Sequence, residues 1–247
     1  MEIEQKQAQT YCSAWTDETR RVVWYMISRA RKTLQIELSP VVAKAFIILQ
    51  YYFNNIKEEC PYKMFTLMTA ALFTSCKIEN CYRSIEVVHN ELLRLYKAFP
   101  SQNLHRILGA DLAGKEIASI VKKAEIDLLD SINFNTDFEL PFIHFEKWSG
   151  FIKSRFNNES FIKLCQTVII DICLAICSKF YLQLPPEVAA AAAAKDCLAI
   201  NGLDPQVLEE TNKWLLDVQN RYGDALIELA TNSIQFEKNN TRTASNQ

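Results

Sequence analysis

The sequence predicts an all-α protein made of two tandem five-helix domains. Glycine is scarce, with five residues in 247, and apolar side chains recur at intervals of three and four residues, which is the spacing of one helix face. Most prolines stand where such a pattern begins, as expected for the first turn of a helix. Pro61 and Pro186 open similar runs in the two halves, so the simplest interpretation is a repeated domain.

Five helices are predicted in the first half of the chain. Ser39 and Pro40 have the pattern of an N-cap and a first helical residue. The helix over residues 62–77 is apolar almost all round, which predicts a central position in the domain. The connector over residues 96–114 is given no helix, and it either contacts a partner or is a surface insertion. The other helices are predicted over residues 16–37, from Ser39 onward, and over residues 84–97 and 115–132.

The second half repeats this plan after Pro141. A helix is expected to begin there, and a long one follows over residues 160–182. The alanines of residues 189–194 are small enough for close packing, so the run from Pro186 to Asn201-Gly202 is predicted to be the buried helix of this half. The predicted divisions are an N-terminal tail (1–14), a first domain (15–138), a second domain (139–236) whose closing helices span 204–234, and a solvated C-terminal tail (237–247).

Composition argues against several function classes. The formal net charge of −2 argues against a protein that binds nucleic acid by neutralising phosphates. No apolar stretch reaches the roughly 20 residues of a membrane-spanning helix, and the first residues lack the pattern of a secretion signal. The eight cysteines include no CxxC motif, and Cys173 and Cys177 lack a nearby histidine to complete a metal site. Reduced thiols in an intracellular protein are therefore expected.

Signals for catalysis are weak. The three histidines stand apart from any serine or cysteine in a nucleophile motif. The stretch from Gly109 to Glu116 approaches a phosphate-binding loop, but Glu116 replaces the hydroxyl residue that would hold magnesium. The sequence therefore predicts no enzyme, no catalytic residue, no cofactor and no metal, and its partner is expected to be a protein.

Lys77 and Glu125 place opposite charges on two helices that are otherwise mostly apolar. A charge in such a helix requires a partner, because burying it unpaired is costly. Two interpretations follow from the residues. The two side chains form an ion pair that closes the core of the first domain, or they face a binding partner at the mouth of an apolar groove.

Two stretches of the first domain resemble the cyclin box. AALFTSCKIEN ends the predicted third helix with Lys77-Ile78-Glu79, and AEIDLLDSINFN carries Glu125, with Leu129 and the Ile132–Phe134 segment at the spacing of the family. The resemblance extends from Trp15 to Phe236 and implies two cyclin-box repeats.

In cyclins, the lysine and glutamate at these positions contact backbone groups of a cyclin-dependent kinase beside its regulatory C-helix, and apolar neighbours pack against that helix. The resemblance therefore implies a kinase-activating subunit, in a heterodimer with the kinase, that has no catalytic groups of its own. The second acidic residue of the family's lysine motif is replaced here by Asn80. The kinase-binding residues carried over by the motifs are Lys77, Ile78, Glu125, Leu129 and Phe134.

The subgroup that the chain resembles most is that of the transcription-type cyclins C, H, K, L and T. The first helix lacks the MRAIL-type patch with which cell-cycle cyclins dock substrates, and NFNTDFELPFIHFEKW is similar to the domain junction of the transcription type. This implies phosphorylation of the RNA polymerase II C-terminal domain, a nuclear location with the cytoplasm left open, and further transcription-complex subunits. The alternatives are a cell-cycle cyclin, a cyclin-fold adaptor without a kinase, and a general transcription factor of the IIB type.

Overall fold

The structure is a computed structural model that describes residues 15–56, 60–98, 102–109, 116–153, 159–198 and 205–245. Within these ranges the regular structure is helical and no strand is present, which confirms the all-α class. The chain separates into two compact units, residues 1–138 and residues 139–247. The predicted N-terminal tail, residues 1–14, lies outside the described residues.

The first unit is built around one buried helix. Its helices are α1 (Asp17–Leu34), α2 (Ala43–Asn55), α3 (Met64–Ile78), α4 (Ile85–Ala98), α5 (Gln102–Leu108) and α6 (Ile117–Ser131). Residues Met64–Leu72 of α3 are all buried, so most of this helix offers no face to solvent. α3 packs against every other α-helix described in the unit. That central position is the one its apolar sequence predicts.

The chain enters α2 differently from the prediction. The predicted N-cap at Ser39 is wrong, because Leu38–Val42 form a π-helical turn and α2 begins at Ala43. Val41 is buried in this wider turn, and its carbonyl oxygen accepts a hydrogen bond from the Ser75 hydroxyl on α3 at 2.6 Å. A contact between residues distant in sequence therefore fixes this helix start.

Part of the predicted connector is a packed helix. α5 lies within the segment 96–114, for which no helix is predicted. Leu104 and Leu108, one turn apart, are buried where α5 packs against α1 and α3. The described part of the connector is therefore attached to the core, and both a partner contact and a surface insertion stay predictions for it. Residues 99–101 and 110–115 lie outside the described ranges.

The second unit has a central helix rich in alanine. Its helices are α7 (Pro141–Lys153), α8 (Glu159–Cys177), α9 (Pro186–Cys197), α10 (Pro205–Tyr222) and α11 (Asp224–Ser245). Ala189–Ala194 are buried, and α9 packs against the other four α-helices described in this unit. Small side chains let those helices approach closely, as predicted. Gly223, with a φ of 85°, ends α10 through a hydrogen bond from its N–H to the Gln219 carbonyl at 2.8 Å. The predicted helix end at Asn201-Gly202 lies outside the described residues.

Two other ends differ from the prediction in the second unit. α8 ends at Cys177 rather than at Leu182, and a 3₁₀ turn, Tyr181–Gln183, leads to α9. The predicted solvated tail from residue 237 is instead helical, because α11 continues to Ser245. Glu237 is 2% exposed, so charge in this terminal segment does not indicate solvation.

None of the seven cysteines in the described ranges is part of a disulfide. Across the same residues, no group of histidine, cysteine, aspartate or glutamate side chains has the arrangement of a metal site. No helix in the described part of the chain is both long and apolar enough to cross a membrane.

Candidate partner-binding site at the ends of α3 and α6

The five residues predicted to bind a partner lie on two adjacent helices and on the turn after one of them. α3 and α6 pack side by side. Lys77 and Ile78 are the last two residues of α3, whereas Glu125 and Leu129 are one turn apart on α6. Phe134 follows the end of α6. Residues that are far apart in the sequence therefore lie on neighbouring elements of the fold.

Lys77 and Glu125 form an ion pair that is open to solvent on its lysine side. The lysine Nζ atom lies 2.9 Å from Glu125 Oε1, and the Thr74 hydroxyl donates to the same oxygen at 3.2 Å. The lysine side chain is 45% exposed and that of the glutamate 9%. The Nζ atom also lies 5.2 Å from the centre of the Phe73 ring. The pair is thus present within the chain, but it lies at the edge of the core instead of closing it.

This half-exposed pair adds little to the stability of the fold. Ion pairs in contact with water contribute about 0–1 kcal/mol, because solvent screens the attraction and the long side chains lose rotamer freedom. Loss of this contact is therefore expected to change the stability of the fold little.

A second ion pair, not predicted from the sequence, holds the end of α3 in place. Lys44 of α2 pairs with Glu79 at 2.5 Å, and its Nζ atom donates to the Thr136 carbonyl oxygen at 3.4 Å. The Lys44 side chain is mostly buried, so these bonds tie together α2, the residue after α3 and the segment after α6. The signal for it in the sequence is a single charged residue in an otherwise uncharged helix.

The turn after α6 holds Phe134 in solvent with an unusual backbone. Asn133 and Phe134 have φ values of 50° and 56°, a region that costs a residue other than glycine roughly 1–2 kcal/mol. The Phe134 N–H donates to the Leu129 carbonyl at 2.8 Å. The Phe134 side chain is 60% exposed, so packing within the described chain does not account for the conformation. An exposed aromatic ring on a strained turn is typical of a binding surface.

Ile126 extends the apolar surface of α6. It is 59% exposed and lies three residues before Leu129, so the two side chains are neighbours on the helix. Ile126 was not predicted as a site residue, although an isoleucine between Glu125 and Asp127 is a visible signal in the sequence. The α3–α6 surface is formed by Lys77, Ile78, Glu125, Ile126, Leu129 and Phe134.

The second unit contains a lysine–carboxylate cluster that is buried, unlike the Lys77–Glu125 pair. Asp171 of α8 is completely buried, and its Oδ2 atom accepts from Lys238 Nζ at 2.8 Å and from Cys197 Sγ at 3.3 Å. Lys238 of α11 also pairs with Asp196 of α9. Burial raises the pKa of Asp171, and the hydrogen bonds from Lys238 and Cys197 only partly offset that effect. The cluster joins three helices inside the unit.

An open cavity of about 380 Å³ lies beside α7 and α10 in the second unit. Trp148 and Trp214 stack at its wall, with ring centroids 5.5 Å apart. Glu187, which also lines it, is held by Arg221 through hydrogen bonds of 2.5 and 2.8 Å. Lysines and glutamates share the rim, so the cavity favours neither sign of ligand charge.

No protein-family model matches this sequence. No curated protein matches it either. Among solved structures, 22 chains match. One of them is a chain of the CAK complex from Chaetomium thermophilum bound to ATP-γ-S, with a TM-score of 0.58 and 15% sequence identity. The match covers 90% of this chain and 64% of that chain.

At this identity the likeness establishes the fold alone. The chain has a cyclin-like, all-α fold of two tandem helical domains, and the predicted fold class is confirmed. The chain spans less than two thirds of the length of the solved chain that it matches. The transcription-type subgroup and the roles of the site residues stay predictions.

Proposed function

We propose that this chain is a regulatory subunit that binds a cyclin-dependent protein kinase and activates it allosterically. The observation that carries the proposal is the Lys77–Glu125 pair at the edge of the core, with its lysine 45% exposed. Exposed apolar side chains of Ile126 and Phe134 belong to the same surface. A cyclin-like fold with this surface supports the function that the resemblance implies.

Each part of the α3–α6 surface has a distinct task in this proposal. The apolar side chains of α6 and of the following turn supply the area buried against a helix of the kinase, and that burial sets the affinity. The Lys77 ammonium and the Glu125 carboxylate bind backbone groups of the kinase and fix the register of the partner helix. Lys44 and Glu79 hold the end of α3, so these groups are in place before the kinase arrives.

Activation follows from differential binding. A subunit that binds the active position of the kinase C-helix more tightly than the inactive one shifts the equilibrium toward it. In that position the kinase's own lysine–glutamate pair and activation loop organise ATP and magnesium. The chain described here supplies no catalytic group in this mechanism.

The proposed kinase is one that phosphorylates the RNA polymerase II C-terminal domain, in the nucleus. The transcription-type features of the first helix and of the domain junction support this choice. The likeness to a chain of the CAK complex bound to ATP-γ-S supports a place in a kinase assembly. Further subunits of a transcription complex are proposed partners, whereas the net charge of −2 disfavours direct binding to nucleic acid.

The test is a pull-down of the tagged protein from a nuclear extract, followed by a kinase assay of the eluate on polymerase-tail and histone H1 peptides. We expect phosphorylation of the polymerase tail, and its loss in the Lys77→Ala/Glu125→Ala double variant. The matched control is Lys97→Ala, which removes an exposed lysine from the far end of α4 and is expected to retain the kinase. Preference for histone H1 would indicate a cell-cycle cyclin, and absence of any kinase would overturn the proposal in favour of an adaptor.

A further inference from the structure

The end of α3 brings two cysteines together around Lys77. Asn80 has a φ of 55°, and the chain closes the helix with two backbone hydrogen bonds. The Asn80 N–H donates to the Lys77 carbonyl at 3.2 Å, and the Cys81 N–H donates to the Cys76 carbonyl at 3.0 Å. This bond pattern is that of a Schellman motif, in which the side chains at the two outer positions are often in contact. Here both outer side chains are thiols.

The two thiols are within reach of each other. The backbone hydrogen bond of 3.0 Å from the Cys81 N–H to the Cys76 carbonyl closes the turn, so both side chains leave the same turn. Cys76 is fully buried, whereas Cys81 is partly exposed. We infer that Cys76 and Cys81 are a redox-sensitive dithiol that closes to a disulfide around Lys77 when the protein meets a small-molecule disulfide such as oxidised glutathione.

The segment after Cys81 is anchored, so the two sulfurs are held near each other. The Arg83 guanidinium donates to the Leu34 carbonyl at 2.8 Å, to the Gln35 carbonyl at 3.3 Å and to the Tyr82 carbonyl at 2.8 Å. These bonds attach the turn to the end of α1. A dithiol held in this way forms a bond without the entropy loss of closing a flexible loop.

Cys173 and Cys177 provide an internal contrast. They lie four residues apart within the regular helix α8. Their Cβ atoms are therefore separated by about 5–6 Å, whereas a disulfide requires roughly 3.5–4.5 Å. A bond between these two would require the helix to break. Two cysteines at nearly the same spacing can thus form a disulfide at the end of α3 but not inside α8.

The reaction proceeds by two thiol–disulfide exchanges. The Cys81 thiolate attacks one sulfur of oxidised glutathione, forms a mixed disulfide and releases one glutathione thiolate. The Cys76 sulfur then loses its proton and attacks the Cys81 sulfur, which forms the Cys76–Cys81 bond and releases the second glutathione. The two protein thiols are oxidised by two electrons, and oxidised glutathione is reduced to two thiols. Burial raises the pKa of Cys76 to about 12, so the second step is slow at neutral pH and becomes faster as pH rises.

The experiment uses the full chain, incubated with oxidised glutathione, blocked with N-ethylmaleimide and digested with trypsin without reduction. Trypsin cuts after Lys63, Lys77 and Arg83. The disulfide is therefore expected to link the peptide 64–77 to the peptide 78–83, and a reductant should separate them. Before the maleimide is added, the intact mass should lie two hydrogen atoms below that of the reduced protein, and circular dichroism should show that the protein stays folded.

Cys81→Ser is expected to abolish the linked peptides completely. The matched control is Cys165→Ser, which removes another partly buried thiol and should leave them unchanged. A glutathione adduct that persists on Cys81 at pH 8 and above would overturn the inference, as would linked peptides that form only in urea. The outcome is independent of whether the chain binds a kinase, because every readout is made on the isolated protein.

Discussion

Each unit of this chain has a lysine bonded to a carboxylate on another helix, and the two pairs lie in opposite environments. Lys77 Nζ lies 2.9 Å from Glu125, and Lys238 Nζ lies 2.8 Å from Asp171. The side chains of the first pair are 45% and 9% exposed, and those of the second pair 22% and 0%. Exposure therefore separates a pair at the edge of the core from one buried between helices, while distance does not.

The buried pair depends on its partners for its charge. Desolvation raises the pKa of Asp171, because burial removes the water that would stabilise its carboxylate. Its hydrogen-bond donors offset only part of this effect. Burial also opposes the charge on Lys238, but its hydrogen bonds to Asp171 and Asp196 outweigh that effect and raise its pKa. Removing Lys238 leaves Asp171, whose side chain is 0% exposed, without its cation.

The largest effect is expected from Lys238→Met, which keeps the volume of the side chain and removes its charge. The free energy of unfolding should fall by about 3–5 kcal/mol, because Asp171 then lies buried without its cation. Urea unfolding followed by tryptophan fluorescence measures this. Lys163→Met is the matched control, since Lys163 pairs with Glu159 at 2.8 Å on the exposed side of α8 and should change stability by less than about 0.5 kcal/mol. Equal urea unfolding midpoints for the two variants would show that the buried pair does not stabilise the fold.

The deficit of Lys238→Met is expected to depend on pH. A carboxyl whose folded-state pKa is raised, as that of Asp171 is, contributes stability that is fully present below its unfolded pKa and is lost as pH rises through the folded pKa. Without the ammonium the folded pKa of Asp171 rises further, so the deficit should shrink as pH falls and grow as pH rises. Urea midpoints across a series of pH values measure the change. If the deficit does not vary with pH, it arises from lost packing of the aliphatic part of the lysine side chain and not from the charge of Asp171.

The two pairs also differ in how far the sequence predicts them. Lys77 and Glu125 stand out because each is a charge on an apolar helix and each matches a motif position. Asp171 interrupts an apolar run in the same way, but its partner lies 67 residues away, in a segment whose charges suggest a solvated tail. Local patterns identify helices and their apolar faces, whereas pairings between distant helices depend on packing that such patterns do not specify.

The same limit applies to the ends of elements and to the turn after α6. α5 is too short to show a clear period, and the π-helical turn before α2 exists because Val41 and Ser75 meet across the fold. Phe134 was predicted as a site residue by motif, but its positive φ is invisible in the sequence, because phenylalanine carries no preference for that region.

Lys77→Ala should affect binding and leave the fold almost unchanged. Loss of the exposed ammonium is expected to weaken kinase retention by about tenfold or more, since a charged contact at the centre of an interface often contributes over 1 kcal/mol. The free energy of unfolding should change by less than about 1 kcal/mol. Pull-down titration and urea unfolding, each with Lys97→Ala as control, measure the two quantities. A loss of stability as large as that of Lys238→Met would restore the interpretation of a pair that closes the core.

Phe134→Asn gives the smallest expected change in stability. It also separates most sharply a role of the ring in binding from a role in the fold. Asparagine tolerates positive φ better than phenylalanine does, so relief of backbone strain should offset the little burial that a ring 60% exposed can lose. The free energy of unfolding is expected to stay within about 0.5 kcal/mol of the wild type or to rise. Kinase retention should nevertheless fall, because the exposed ring is then absent from the α3–α6 surface.

The control for this prediction makes the same substitution at Phe236, which is 52% exposed on α11 of the second unit. There the backbone is helical, and phenylalanine and asparagine have similar helix propensities, so the free energy of unfolding should change by less than about 0.5 kcal/mol and binding should be unchanged. Opposite outcomes at two phenylalanines of similar exposure would show that the strained turn after α6 is kept for a partner. If Phe134→Asn instead destabilises the protein and binds normally, the ring serves the fold, and the α3–α6 surface ends at α6.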